Sequence, residues 1–184
     1  VNPKTLESKW QKKWTEAKAY ESEPGGAKDK YFVNCPYPYM NGYLHLGHAF
    51  TYLRADMVSR YQRMQNKNVL FPFAFHCTGT PIVAAAQRVE EGETTQIKAL
   101  KQMGLSDTLI KKFSKPEEWT KYFPDKAIID LKKFGTSIDW RRSFITTSLN
   151  PSYDAFIRWQ FNKLLAGEYL IKGSFPVVWC PKRG

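Results

Sequence analysis

Sulfur and imidazole are scarce in this sequence, and acidic side chains are outnumbered. Its 184 residues hold three cysteines and three histidines, and 17 Asp and Glu stand against 28 Lys and Arg. Cys35, Cys77 and Cys180 are odd in number and widely spaced, with no CxxC pair. That pattern excludes the disulfide frame of a small secreted domain, and reduced thiols are expected. No run of about 18 apolar residues occurs, and the start lacks a charged-then-apolar leader pattern. A soluble, cytoplasmic protein without a membrane partner is the expectation.

What is present is the composition of a packed globule, 42% hydrophobic and 15% aromatic, too apolar for a disordered tail. The length suits one domain with a sizeable core, or part of a larger one. The formal charge of +11 favours polyanionic partners. A nucleic acid and a nucleotide held in a cleft both fit that charge.

The pattern along the chain alternates strands with helices. Asn2 and Pro3 read as the cap and first position of a helix with Leu6, Trp10, Trp14 and Ala17 on one face, ended by Glu23-Pro24-Gly25-Gly26. Residues 30–34 read as a buried parallel strand. A helix over residues 46–64 follows, with Leu46, Ala49, Phe50, Leu53, Met57, Tyr61 and Met64 at helical spacing. Residues 69–75 repeat the buried-strand pattern, His76-Cys77-Thr78-Gly79-Thr80-Pro81 the turn, and residues 82–89 the helix. This repetition predicts an α/β fold with a doubly wound parallel sheet, whose ligands bind beyond the carboxyl ends of the strands.

Residues 90–121 are charged, with only short helical patterns, and suit a lid or an insertion near the site. A helix is expected over 124–134, a strand over 144–148, and a helix starting at Asn150-Pro151 with Phe156, Ile157, Phe161, Leu164 and Leu165 on one side and Gly167 at its end. Residues 169–179 read as a strand or ribbon left unfinished, which suggests that the natural protein continues.

Two of the three histidines sit in His45-Leu46-Gly47-His48, where the predicted helix opens. A helix N-terminus carries free backbone N–H groups and a partial positive charge, so the pair is placed to donate to phosphate. Histidines at such a position also serve as caps or packing residues, and a metal pair is a third reading. The usual helical metal pair, however, is spaced four apart beside a carboxylate.

The segment Cys35-Pro36-Tyr37-Pro38-Tyr39-Met40-Asn41-Gly42-Tyr43-Leu44-His45-Leu46-Gly47-His48-Ala49 resembles the HIGH signature of class I aminoacyl-tRNA synthetases. It is similar in particular to the leucyl-tRNA synthetases of archaeal and eukaryotic cytosolic type. Phe71-Pro72-Phe73-Ala74-Phe75-His76-Cys77-Thr78-Gly79-Thr80-Pro81-Ile82 resembles the second core strand and turn of that group. Ser137-Ile138-Asp139-Trp140, Phe144-Ile145-Thr146-Thr147 and Trp159-Gln160-Phe161 fit its pattern as well. The HxGH match alone is shared with other nucleotidylyltransferases; the flanking segments make it specific.

The resemblance implies a Rossmann-like catalytic core that activates leucine with ATP, accompanied by Mg2+, and transfers it to tRNA(Leu). It assigns His45 and His48 to catalysis by positioning and electrostatics, and Asn41, Gly42, His45, Gly47 and His48 to ATP. It assigns Tyr37, Tyr39 and His76 to the amino acid, although the two tyrosines also suit core packing. His76 stands where bacterial members carry an acidic residue, so accepting from the amine requires its neutral form.

Cys180-Pro181-Lys182-Arg183 falls where relatives enter an inserted editing domain. Arg183 replaces the second cysteine of the zinc-binding CxxC that some carry, so no zinc is expected in this segment. The basic pairs Lys12-Lys13, Lys111-Lys112, Lys132-Lys133 and Arg141-Arg142 suit solvated faces better than tRNA contacts. No KMSKS signature occurs. Residues 1–184 therefore read as the N-terminal half of the class I catalytic domain, partnered by the rest of the synthetase and poorly active alone. A synthetase for valine, isoleucine or methionine, or a non-catalytic basic module that binds RNA or a partner, are the alternatives.

Overall fold

The computed structural model describes residues 2–179. They form two compact units, divided between Thr147 and Ser148.

The first unit opens with α1 (Pro3–Glu16), whose start follows the sequence: the Asn2 side chain accepts from the Lys4 backbone N–H at 3.0 Å, and Pro3 occupies the first turn. Its end comes earlier than the proline-glycine turn that was expected to stop it, because Lys18 takes a left-handed φ of +50°. None of the residues of α1 is buried. Its inner side rests on Trp14, whose ring lies 5.7 Å from that of Tyr20 and 5.1 Å from the Arg60 guanidinium.

Four short strands run parallel. β1 (Lys30–Phe32) pairs with β2 (Asn68–Leu70), and β3 (Phe73–Phe75) pairs with β4 (Ser143–Ile145). The single strand expected over 69–75 is thus two. Pro72 has no N–H to give a ladder, and across it the chain changes partner from β1 to β4. The Phe71 carbonyl, just before the proline, still accepts from Asp139 at 2.9 Å. β1 also differs from the buried strand expected. It is shorter, and Phe32 is 61% exposed, while Val33 just beyond it is buried.

α2 (Leu46–Met64) has the bounds that the apolar spacing predicts, but its faces are reversed. Leu46, Phe50, Leu53, Met57, Tyr61 and Met64 are exposed, and Tyr52, Asp56 and Ser59 are buried. The cause is a polar docking. Asp56 accepts from the Ser137 backbone N–H, while Arg60 donates to the Gly135 carbonyl and Arg63 to the Ser137 carbonyl at 2.9 Å. Asp56 and Arg60 also pair with each other at 2.7 Å. These bonds hold the segment leading into β4, and they need charged side chains on the inner face.

Residues 90–121 form helices of the core instead of a lid. α3 (Thr80–Glu90) is followed by α4 (Thr94–Gln102), α5 (Asp107–Lys112) and α6 (Pro116–Lys133). Leu100, Leu105, Ile110, Phe113 and Trp119 from this stretch are all buried. Phe113, Trp119 and Phe123 stack within 5.5 Å of one another, and the Trp119 indole N–H donates to the Phe113 carbonyl at 2.7 Å. Pro124, expected to open a helix, lies inside α6, which starts eight residues earlier with Pro116 in its first turn and Glu117 and Glu118 beside it.

The second unit begins with α7 (Pro151–Ala166), capped by the Asn150 side chain on the Tyr153 N–H at 3.3 Å and closed at Gly167. Phe156, Ile157, Phe161, Leu164 and Leu165 lie exposed along it. Residues 169–179 have no regular secondary structure, so the expected ribbon is not formed. The motif at Cys180-Pro181-Lys182-Arg183 lies outside the described residues. Among the described residues no helix is long and apolar enough to cross a membrane.

Candidate active site

β1 and β3 each run into a turn that opens a helix, and because the strands are parallel, both turns lie at the same end. The first turn ends at His45, the N-cap of α2 in extended backbone. Its Nδ1 accepts from the Gly47 N–H at 3.1 Å, and His48 Nδ1 accepts from the His45 N–H at 3.2 Å. Each histidine therefore satisfies one of the free N–H groups of the helix start, a reciprocal cap in which imidazoles replace the usual hydroxyl and carboxylate.

This cap fixes the chemistry of both rings. A backbone N–H only donates, so each Nδ1 must keep its lone pair, and the single ring proton of each neutral imidazole sits on Nε2. Both histidines are thus held as Nε2–H donors at the positive end of a 19-residue helix. The rings lie 4.0 Å apart, and the His48 ring stacks on Tyr52 at 6.0 Å and 15°. Burial, helped by the neighbouring His45, pushes the His48 pKa down, which favours the neutral donor form. Capping and phosphate donation are compatible uses of the same side chains.

Gly47 has a specific task here. A Cβ at this position would meet His45 Cε1 at 3.0 Å and Nδ1 at 3.1 Å, so a side chain there would press the His45 ring away from the helix start, and glycine lets it fold over without that shift. Gly42 lies under Met103, whose Cε would be 3.3 Å from an added Cβ, and Asn41 beside it is exposed.

The second turn is clamped to the first. The His76 N–H donates to the Pro38 carbonyl at 2.8 Å, and the Met40 N–H donates to the His76 carbonyl at 3.1 Å, a parallel bridge that brings the Tyr39 and His76 rings to 4.1 Å. Tyr39 and His76 are therefore brought together, as the sequence reading required of two residues for one ligand. Gly79, with φ +90°, then turns the chain into α3. Tyr37 is separate from this pair: half-buried, it meets Phe73 at 6.2 Å and Phe144 at 5.9 Å, edge-on. Burial raises its pKa, and its ring belongs to the aromatic core.

Two residues without an assigned role in the sequence reading join the site. Tyr52 supports His48 from below and meets Phe73 at 4.9 Å; its position one helical turn after His48 is the signal that points to it. Thr146, just past β4, bonds to His76 Nδ1 through its hydroxyl at 3.1 Å. Only tertiary pairing reveals that contact, since the two residues are 70 positions apart.

Cys35 and Cys77 are free and buried, and burial pushes their thiols up to about 11 and about 12, so neither is a ready thiolate. Among the described residues no group of three or more His, Cys, Asp or Glu could hold a metal ion. A cavity of about 470 Å³ lies elsewhere, between α1 and residues 135–141, with Trp14, Tyr20 and Trp140 in its walls. It precedes β4 and includes none of the residues expected to bind ligand.

Residues 9–183 match the family described as class I tRNA synthetases for isoleucine, leucine, methionine and valine. A leucine–tRNA ligase of Aeropyrum pernix is 50% identical over 179 residues, covering 97% of this chain and 19% of the relative. One from Methanococcoides burtonii is 44% identical, covering 98% of this chain and 18% of the relative. This chain thus spans about a fifth of the curated relatives it matches. In the solved structures, a ternary complex of Agrobacterium radiobacter K84 LeuRS, tRNA and LeuAMS superposes with a TM-score of 0.66 at 23% identity, covering 88% of this chain and 17% of that one; that likeness bears on the fold. By its parallel strands, its histidine-capped helix and a family match over nearly its whole length, this chain belongs to the class I tRNA synthetases of the isoleucine, leucine, methionine and valine group.

Proposed function

We propose that this chain is the N-terminal half of the catalytic domain of a leucyl-tRNA synthetase, ending near the entry to an editing insertion. The whole enzyme activates leucine with ATP and transfers it to tRNA(Leu) in the cytoplasm. The observation that carries the reading is the double cap on α2: two neutral imidazoles, both with Nε2–H free to donate, at a helix N-terminus.

In adenylation the carboxylate oxygen of leucine bonds to the α-phosphorus of ATP, and the bond from phosphorus to the bridging oxygen breaks to release pyrophosphate. No covalent enzyme intermediate is needed, so the protein's part is to position two anions and stabilise charge on the phosphoryl oxygens. His45 and His48 are the donors. A hydrogen bond to a charged group is worth about 1.5–3 kcal/mol, so the pair supplies a useful share of that stabilisation. Asn41, Gly42 and Gly47 border the nucleotide, which arrives with Mg2+.

Tyr37, Tyr39 and His76 serve leucine, with Tyr39 and His76 forming one wall and Tyr37 packed against Phe73 and Phe144 in the aromatic core. The remaining synthetase, with the second phosphate-binding signature and the editing and anticodon-binding domains, is the partner. The exposed apolar stripe of α2, Leu46 through Met64, supports a partner of that kind, because such a stripe is normally covered.

A chimera tests the proposal. Placing this chain in the matching part of the Aeropyrum pernix relative should give ATP–pyrophosphate exchange that depends on leucine. Exchange with only valine, isoleucine or methionine would move the assignment to another member of the group. An inactive chimera that binds RNA would favour the non-catalytic basic module.

A further inference from the structure

His76 is held on three sides. Its backbone is fixed by Pro38 and Met40, its ring by Tyr39 at 4.1 Å, and its Nδ1 by the Thr146 hydroxyl at 3.1 Å. Among the described residues its Nε2 makes no hydrogen bond. Whether that atom is a donor or an acceptor depends on where the ring proton sits, and the hydrogen bonds of Thr146 decide it.

Thr146 is buried, and its oxygen has three neighbours. The Cys77 backbone N–H, at 3.1 Å, can only donate, so it takes one of the two lone pairs. The Phe75 carbonyl, at 3.4 Å, can only accept, so it takes the hydroxyl proton. What remains for His76 is the second lone pair, which requires a proton on Nδ1. With the opposite arrangement, the Thr146 hydroxyl and that of Thr78, 3.3 Å from the same Nδ1, would compete for one ring lone pair, and the Thr146 and Phe75 oxygens would face each other without a proton. With Nδ1–H, both threonine oxygens accept from one shared proton, and every contact is satisfied.

We propose that Thr146 is a positioning residue that holds His76 in the Nδ1–H form, so that Nε2 presents a lone pair to the ammonium group of the amino acid. The site then contains two kinds of imidazole. His45 and His48 are locked as Nε2–H donors toward phosphate, and His76 is locked as an Nε2 acceptor toward an amine. The threonine does for His76 what a carboxylate would do for an amine by its charge: it ensures that an acceptor is presented. The amine as ligand rests on the leucine reading given above; the proton's place on the ring does not.

Long-range 15N–1H correlation spectra of the uniformly labelled chain read the two nitrogens of each ring, and three histidines keep the assignment simple. Above the range in which the imidazoles titrate, His76 should show a protonated Nδ1 and an unprotonated Nε2, while His45 and His48 show the reverse. Thr146→Val, which keeps the shape and removes the hydroxyl, should lose the Nδ1–H pattern at His76; Thr146→Ser should keep it. A wild-type His76 with its proton on Nε2 overturns the proposal without any variant being needed, as does an unchanged pattern in a folded Thr146→Val. If His76 shows Nδ1–H but the chimera shows no leucine-dependent exchange, the leucine reading fails and the role of Thr146 in setting the proton stands. If the exchange is leucine-specific but the proton is on Nε2, this inference fails and the leucine reading stands.

Discussion

His45 does two things that one pair of substitutions separates. Its Nδ1 caps α2 through the Gly47 N–H, and its Nε2–H is the group assigned to phosphate. His45→Ala removes both, whereas His45→Asn keeps a side-chain acceptor at a position whose extended backbone suits Asn, among the best N-caps. Losing a cap costs about 1 kcal/mol, which for a unit of this size lowers Tm by about 2–4 °C. Losing a donor to a charged phosphate costs about 1.5–3 kcal/mol, or roughly 10- to 150-fold in rate or affinity. Thermal unfolding of the chain should therefore show Ala below wild type and Asn close to wild type. ATP–pyrophosphate exchange in the chimera should show both variants reduced by similar factors. An Asn variant that melts as low as the Ala variant would refute the cap; one that exchanges at the wild-type rate would refute the donor.

Four further outcomes are expected. Because the His48 pKa is depressed in the fold, its contribution to stability is fully present above the ordinary value of 6.5 and is lost as pH falls below it; urea midpoints at pH 7.5 and pH 5.5, compared with those of His48→Gln, check this. Asp56→Ala strands the buried Ser137 N–H and leaves Arg60 without its carboxylate, and chemical denaturation should report a loss of about 3 kcal/mol. Gly79→Ala forces a side chain onto a φ of +90° with an extended ψ, a region essentially reserved for glycine, and should cost about 1–3 kcal/mol by the same measurement, although Pro81 Cδ at 3.6 Å leaves room for the atom. Met57→Lys alters an exposed apolar residue, so the isolated chain should change by less than about 0.5 kcal/mol, while the chimera, where a partner is proposed to cover α2, should lose stability measurably.

How much of this was legible in the sequence differs between the two faces of one helix. The bounds of α2 follow from its spacing and from the histidines that open it, and they are reproduced to the residue. Which face turns inward does not follow, because the rule that the apolar stripe meets the core assumes that every partner of the helix is present. In this chain Tyr52, Asp56 and Ser59 are buried instead, and Asp56, Arg60 and Arg63 bond the backbone at residues 135–137. The apolar stripe lies exposed among the described residues. The same blindness hid the division of residues 68–75 between two neighbours, since a proline inside an apolar run says that a ladder is interrupted without saying which strand comes next.

The proposed site is read from its residues, and the place of its protons is not. HxGH locates two imidazoles at a helix start, and a capping role and a catalytic role looked like rival explanations of them. In the proposed reading the first is the condition of the second, because a neutral histidine has one ring proton, and a cap that occupies Nδ1 from the backbone side sends that proton to Nε2. At His76 the same logic runs in reverse, since the partner of Nδ1 is a hydroxyl already committed as donor to the Phe75 carbonyl and as acceptor from Cys77. A fold can thus make electrophilic and basic sites from one residue type without charging either, by choosing whether backbone N–H or a spent hydroxyl faces Nδ1. Such a choice is written in contacts between residues up to 70 positions apart, which is why the motif names the side chains and only the fold assigns their chemistry.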